Sequence, residues 1–104
     1  MSPTRSRHKP ARVLLVDDHE VVRMGLEMAI DEDPDFEVTG QAANRTEARR
    51  LADDEAPDLA VVDLSLEGES GLELIKDLVT RHPGLRILVL SMHDETLYAE
   101  RSLR

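Results

Sequence analysis

The stretch Arg12-Val-Leu-Leu-Val16 is followed directly by Asp17 and Asp18. A short continuous apolar run of this kind is typical of a strand that is buried on both faces, as in a parallel sheet. Two similar runs, Leu59-Ala-Val-Val62 and Leu85-Arg-Ile-Leu-Val-Leu90, also end at a polar residue. The three runs therefore predict a buried sheet whose strands finish in polar groups.

Helical patterns separate these runs in the first half of the chain. Apolar side chains recur on one stripe of residues 19–31, which predicts an amphipathic helix. Asn44 with Glu47 forms a capping box for a second helix that reaches about residue 55. Between the two helices, residues 36–41 alternate in polarity and predict a second strand that is more exposed than the others.

The same alternation continues downstream. Ser70 with Glu73 forms another capping box, and Pro83 ends the helix that it begins. Asp94 is predicted to begin a fourth helix that runs through Leu97 and Leu103. The order βαβαβαβα with short connections predicts an α/β fold, a doubly wound parallel sheet with helices on both faces.

Composition narrows the class of protein. A chain of 104 residues suits one domain, and a net charge of -9 does not favour binding to a phosphate backbone. Residues 1–11 are basic and punctuated by proline, which predicts a flexible tail. The absence of cysteine excludes disulfides and thiolate metal sites, and no apolar run suits a membrane span or a signal peptide. We expect a soluble cytoplasmic protein.

The polar residues at the strand ends suggest the chemistry. Ligands of a doubly wound sheet bind at the carboxyl ends of its strands, where Asp17, Asp18, Asp63 and Ser91 would converge. Clustered carboxylates repel one another unless a cation neutralises them, and hard oxygen ligands select Mg²⁺. Taken singly, each aspartate has a structural alternative, such as Asp18 acting as the cap of the first helix.

Asp63 is the best candidate for a covalent role. It stands alone at the end of the middle strand, beside the predicted acidic pair. Aspartate is a known covalent acceptor of phosphoryl groups, and a divalent ion offsets the charge that builds up during the transfer. The hydroxyl of Ser91 could bond a phosphoryl oxygen and report that the group is present.

Three segments together carry a family resemblance: VLLVDDHEVVRMGLEMAI (13–30), DLAVVDLSLEGESGLELIKDL (58–78) and LRILVLSMHDE (85–95). They resemble the receiver domain of bacterial two-component response regulators. The nearest subgroup is the NarL/FixJ-like one, whose receivers are joined to a C-terminal LuxR-type helix-turn-helix domain. The resemblance implies a flavodoxin-like, CheY-like fold with strand order 2-1-3-4.

The same resemblance implies a role for each site residue. Asp63 would be the phosphoacceptor and Ser91 the switch hydroxyl. Asp18 would bind Mg²⁺ directly, Asp17 mainly through water, and the backbone carbonyl of Ser65 would be the third protein ligand. A sensor histidine kinase or a small acyl phosphate would donate the phosphoryl group. The active form would be a homodimer, and DNA would be bound only by a C-terminal domain that this chain lacks.

The sequence also departs from the family. Receivers carry a lysine at the end of a fifth strand, but the only lysine after Asp63 is Lys76, within the third predicted helix. The aromatic residue of that strand is missing too, since Tyr98 lies in the fourth predicted helix. We therefore interpret residues 12–104 as an incomplete receiver without its fifth strand and fifth helix. Residues 87–90 would then form a bare apolar edge and favour self-association.

Two other functions remain open at this point. A small Mg²⁺-dependent phosphohydrolase using an aspartyl-phosphate would want a second aspartate two residues after Asp63, where Ser65 stands. A phosphate-independent interaction module is consistent with the missing lysine. His19, next to the acidic pair, is interpreted as a helix-start residue rather than as a metal ligand.

Overall fold

The structure is a computed structural model that describes residues 9–64, 71–91 and 96–100, of which 91 and 96–100 are described by their backbone. Up to residue 91 the chain alternates strands and helices as the sequence predicts. The elements are β1 (Ala11–Val16), α1 (Glu20–Asp31), β2 (Phe36–Ala42), α2 (Arg45–Glu55), β3 (Leu59–Asp63), α3 (Gly71–Arg81), β4 (Arg86–Ser91) and β5 (Thr96–Glu100). No helix within these described ranges is long and apolar enough to cross a bilayer.

The sheet has the strand order β2-β1-β3-β4-β5. β1 lies parallel to both β2 and β3, and β3 lies parallel to β4. The predicted doubly wound order 2-1-3-4 is thus confirmed. The register brings Val16 opposite Val62 and Asp63 opposite Leu90, so β1, β3 and β4 finish at the same edge of the sheet.

The helix predicted from Asp94 is wrong. Residues Thr96–Glu100 form β5, which pairs antiparallel with β4 from Ser91↔Thr96 to Ile87↔Glu100. Residues 92–95 separate the two strands, and a parallel crossover would need about a dozen residues or more, so only a hairpin can reach this edge. Such a pairing is favourable because the N–H and C=O groups along the edge of β4 then form hydrogen bonds with the added strand.

The predicted bare edge is also wrong, because β4 has a strand on either side. Ile87, Val89 and Leu90 are buried. No feature of the described ranges tests the self-association that we expected from a bare edge. The flexible tail of residues 1–11 likewise stays a prediction: residues 1–8 lie outside the described part, and β1 begins at Ala11.

One face of the sheet packs against α2 and α3. The small side chains of Ala48 and Ala52 let α2 approach closely, and α3 contributes Leu74, Ile75 and Leu78. Leu74 and Leu78 are fully buried, and each such side chain stabilises the fold by about 1.5–3 kcal/mol. The sheet residues in this cluster are Leu14, Val16, Ala42, Ala60, Val62, Ile87 and Val89.

The opposite face is covered more thinly, by α1. Leu26 and Ile30 of this helix are half-buried against a cluster of Val13, Leu15, Val61 and Leu90. No residue of α1 is fully buried. Its outer side carries Val21, Met24 and Met28, which are 79%, 54% and 68% exposed.

Helix α2 begins and ends where the sequence predicts. The side chain of Asn44 accepts a hydrogen bond from the backbone N–H of Glu47 at 2.9 Å, and Glu47 in return accepts one from the N–H of Ala43 at 2.9 Å. The predicted capping box is confirmed, with its return bond reaching one residue earlier than the cap. Ala56 ends the helix in the left-handed region, with φ of 48°, and Pro57 follows it. The capping box predicted at Ser70 lies outside the described residues.

Candidate metal centre

Two aspartates lie side by side at the carboxyl edge of the sheet. Asp63 is the last residue of β3 and Asp17 follows the last residue of β1, two strands that pair directly. Their side chains are 0% and 1% exposed, although carboxylates are almost never fully buried without a compensating partner. This burial is the first sign that the edge is a site and not a pair of turn residues.

Asp18 and His19 complete the cluster. Asp17, Asp18, His19 and Asp63 each offer one ligand atom, and these atoms all lie within 4.8 Å of one another. The structure therefore brings together the three carboxylates that sequence reasoning placed at neighbouring strand ends. It adds His19, for which the only signal in the sequence was its position next to the acidic pair.

Asp17 shapes the turn from β1 into α1. Its Oδ1 accepts a hydrogen bond from the backbone N–H of His19 at 2.7 Å. His19 is the N-cap of α1 and makes no side-chain capping bond, so Asp18 precedes the cap position and is not the cap that the sequence allowed. Helix α1 thus begins with the acidic pair held just ahead of it.

A divalent cation fits this cluster. Oδ2 of Asp17 is buried and accepts no hydrogen bond from any residue in the described ranges. A buried carboxylate oxygen of this kind is costly unless a cation or a donor reaches it. Because three of the four ligand groups are carboxylates, the set suits a hard ion such as Mg²⁺.

The acidic surroundings act on His19. The hydrogen bond of its ring to Asp17 raises the pKa of His19 above the ordinary value of 6.5, and the negative charge of Asp18 raises it further. The charges of Asp17 and Asp63 contribute in the same direction. The acidic side chains therefore stabilise a positive charge beside Asp17 and Asp18, as expected of a cation site.

Arg23 is a supporting residue that sequence reasoning missed. Its guanidinium donates to the backbone carbonyl of Asp17 and, through Nε, to Oε1 of Gln41 at 3.2 Å. Gln41 in turn donates to Oε1 of Glu27 at 2.9 Å. This chain of bonds ties the Asp17 turn to α1 and β2. The sequence held no signal for this role, because the half-burial of Arg23 is seen only in the structure.

On the β4 side of the site, Ser91 is described by its backbone alone. The N–H of Leu64 donates to the carbonyl of Leu90 at 3.0 Å, so the hydrogen bonding to β4 extends one residue beyond Asp63. Strand β4 itself ends at Ser91. The role of the Ser91 hydroxyl stays a prediction, and Ser65 lies outside the described residues. Lys76 is exposed on α3, so it does not replace the lysine that receivers carry on their fifth strand.

Comparison with protein families matches residues 13–104 to the family described as the response regulator receiver domain. The chain belongs to this family. Receiver domains of response regulators are regulatory modules. The roles predicted for Asp17, Asp18, Asp63 and Ser91 within the receiver stay predictions.

Individual relatives place the receiver in the predicted subgroup. The transcriptional regulatory protein LiaR of Bacillus subtilis is 42% identical over 89 residues, which are 84% of this chain and 42% of LiaR. A LuxR-family two-component response regulator from Aurantimonas has a crystal structure with a TM-score of 0.76 at 39% identity, covering 82% of this chain and 61% of that chain. The chain thus spans less than half the length of LiaR.

A third similar protein was solved in a phosphorylated form. It is a response regulator protein from Burkholderia pseudomallei with a phosphorylated aspartic acid, a calcium ion and citrate. Its TM-score is 0.71 at 38% identity, covering 78% of this chain and 46% of that chain. These likenesses confirm the receiver fold that the strand order indicates.

Proposed function

We propose that this receiver domain is a phosphorylation-dependent switch that accepts a phosphoryl group on Asp63. The observation that carries the proposal is the burial of Asp63 at the end of β3, with Asp17 and Asp18 beside it. A carboxylate in this position can act as a nucleophile towards phosphorus. The phosphorylated aspartate in the Burkholderia pseudomallei relative supports the same chemistry here.

The reaction can be written from the residues of the chain. A carboxylate oxygen of Asp63 attacks the phosphorus atom of the donor, and the bond between phosphorus and the donor breaks. The bonding electrons leave with the donor, which is the imidazole of a sensor histidine kinase or the carboxylate of a small acyl phosphate. Asp18, Asp17 through water, Asp63 and the carbonyl of Ser65 would hold Mg²⁺. When bound, Mg²⁺ offsets negative charge on the transferring group.

The response to phosphorylation is assigned to Ser91. It ends β4, one residue beyond the partner of Asp63 in the sheet register. We propose that its hydroxyl bonds a phosphoryl oxygen and couples the state of Asp63 to β4 and the segment after it. A phosphoryl group can reorganise a segment because it adds negative charge and oxygen atoms that accept hydrogen bonds.

The setting of this switch is also a proposal. The names of its relatives, such as LuxR-family response regulator and transcriptional regulatory protein, support a parent protein with a DNA-binding output domain. A sensor histidine kinase would be its partner in the cytoplasm, and the active form would be a homodimer. No contact of this receiver with a membrane is proposed.

One observation favours a second function, a phosphate-independent interaction module. Lys76 is exposed on α3, and the only other lysine in the chain is Lys9, before β1. Neither of these two lysines ends a strand of the sheet, the position at which the family carries its lysine. Such a module would bind its target through a fixed surface, whatever the state of Asp63.

Labelling with acetyl phosphate and Mg²⁺ tests the main proposal. We expect intact-mass spectrometry to detect one added phosphoryl group on the wild type and none on Asp63→Asn. Asp54→Asn is the matched control, because Asp54 is exposed on α2. Unchanged labelling of Asp63→Asn would overturn the phosphoacceptor assignment.

A beryllofluoride titration followed by NMR separates the two functions. The switch predicts shifts of backbone amides around Asp63 and Ser91. Labelling of Asp63 with shifts confined to the acidic cluster would favour the interaction module.

A further inference from the structure

The ring of His19 reaches both members of the acidic pair. Its Nδ1 lies 3.0 Å from Oδ1 of Asp18 and 3.1 Å from Oδ1 of Asp17. Asp63 offers an oxygen within the same group, whose ligand atoms all lie within 4.8 Å of one another. The four side chains therefore enclose one small volume at the carboxyl edge of the sheet.

The spacing of these atoms is that of ligands around one ion. Nitrogen and oxygen ligands bind small divalent ions at about 2.0–2.2 Å, so two adjacent ligands lie roughly 3 Å apart. The distances from His19 Nδ1 to the two carboxylates have this value. Nδ1 carries the lone pair of the neutral imidazole in one tautomer and can then act as a ligand.

A simpler interpretation is a surface ion pair between His19 and one aspartate. That interpretation accounts for the pair distances, since the side chain of His19 is 61% exposed. It leaves Oδ2 of Asp17 buried without a hydrogen bond among the residues that the structure describes. A cation inside the cluster satisfies that oxygen together with the ring nitrogen.

We propose that His19 is a fourth protein ligand, which lets this site bind a divalent transition ion such as Zn²⁺ in competition with Mg²⁺. Imidazole suits Zn²⁺, Cu²⁺ and Ni²⁺, whereas Mg²⁺ prefers oxygen and gains little from a nitrogen ligand. The inference rests on the cation site of the proposed function, because Asp17, Asp18 and Asp63 supply the other ligands. His19 then determines which ion the receiver holds.

Calorimetric titration of the full chain with ZnCl₂ and with MgCl₂ tests this ligand. We expect Zn²⁺ to bind the wild type with a lower Kd than Mg²⁺ and with one ion per chain. His19→Asn should weaken Zn²⁺ binding by about tenfold or more, as expected for the loss of a ligand, and by a larger factor than it weakens Mg²⁺ binding. His82→Asn is the matched control, since His82 pairs with Asp53 at 3.0 Å on the opposite side of the fold from α1.

A spectroscopic readout accompanies the titration. Zn²⁺ should shift the ring nitrogens of His19 in NMR spectra, and Asp17→Asn should abolish that shift. Unchanged Zn²⁺ affinity in His19→Asn, or a shift of another histidine in place of His19, would overturn the inference. Circular dichroism of each variant reports whether the fold is intact.

The outcome can be separated from that of the proposed function. Phosphoryl labelling of Asp63 in the wild type together with unchanged Zn²⁺ affinity of His19→Asn would remove this inference alone. Loss of Zn²⁺ binding in His19→Asn without labelling of the wild type would retain the ion site and remove the phosphoacceptor role.

Discussion

A Cβ atom on Gly71 would lie 2.7 Å from the backbone carbonyl oxygen of Asp63. It would also lie 2.7 Å from Cα of Leu64, so both close contacts are with backbone atoms that cannot move aside easily. The first turn of α3 is thus packed directly against the end of β3. A glycine at this position lets the helix approach the residue that we propose to be phosphorylated.

Gly71→Ala should therefore destabilise the receiver. Overpacking of a tight contact costs about 1–3 kcal/mol, and the strain would fall on the backbone of Asp63. Urea denaturation measures the loss, and acetyl phosphate labelling should slow in parallel. Gly25→Ala is the control: nothing lies within 4 Å of its added Cβ, and alanine stabilises a helix interior by about 0.5–1 kcal/mol. Equal stabilisation by both substitutions would contradict the close approach.

Replacing Arg23 should loosen the acidic turn. Arg23→Met removes the donor to the Asp17 carbonyl and the bond to Gln41, and hydrogen bonds to charged groups contribute about 1.5–3 kcal/mol. We expect a lower free energy of unfolding and a weaker Mg²⁺ affinity, measured by urea denaturation and calorimetry.

Arg50→Met provides the comparison for Arg23. Arg50 forms an exposed pair with Asp54 on α2 at 3.7 Å, and exposed helical pairs of this kind contribute about 0.3–0.5 kcal/mol. A loss of stability in Arg23→Met no larger than that in Arg50→Met would rule out a positioning role.

An NMR titration of the histidine rings should find the pKa of His19 above 6.5. A pKa raised by folding contributes stability that is fully present below pH 6.5 and is lost as the pH rises through the folded-state value. Mg²⁺ should lower the pKa of His19, because the ion replaces the proton as the positive group beside Asp17 and Asp18. Asp17→Asn should lower it too, since the hydrogen bond to Asp17 is its largest cause. A His19 pKa unmoved by Asp17→Asn would contradict the contact, and Asp54→Asn serves as the neutral control.

Removing the cap of α2 should destabilise the fold without touching the acidic site. Asn44→Ala deletes the acceptor for the Glu47 N–H, and loss of such a cap costs about 0.5–2 kcal/mol. Thermal denaturation should record the loss, whereas Mg²⁺ affinity should stay unchanged. Thr46→Ala, at an exposed position of the same helix, should leave stability unchanged or slightly raised. Similar melting temperatures of the two variants would refute the capping role.

Much of the site could be predicted from the amino-acid sequence. Runs such as residues 59–62 are apolar at every position because both faces of a central strand are buried, so a polar residue at the end of the run stands out. Parallel strands finish at a common edge, and Asp17 and Asp63 therefore had to be neighbours once the strand order was known. The same reasoning could not find Arg23, because its partner is a backbone carbonyl, which any residue provides.

The sequence by itself determined the alternation of strands and helices as far as β4 and the carboxylates at the ends of the buried strands, since burial and periodicity are properties of local composition. The order of the parallel strands was implied by the family resemblance of the sequence. Only the tertiary structure decided that Thr96–Glu100 pairs with β4 as an antiparallel strand and that His19 turns towards the acidic pair. Both outcomes depend on what lies opposite in space. An edge with unpaired backbone groups favours a strand where the local pattern indicates a helix, and a carboxylate pair orients an exposed ring whose direction the sequence does not give.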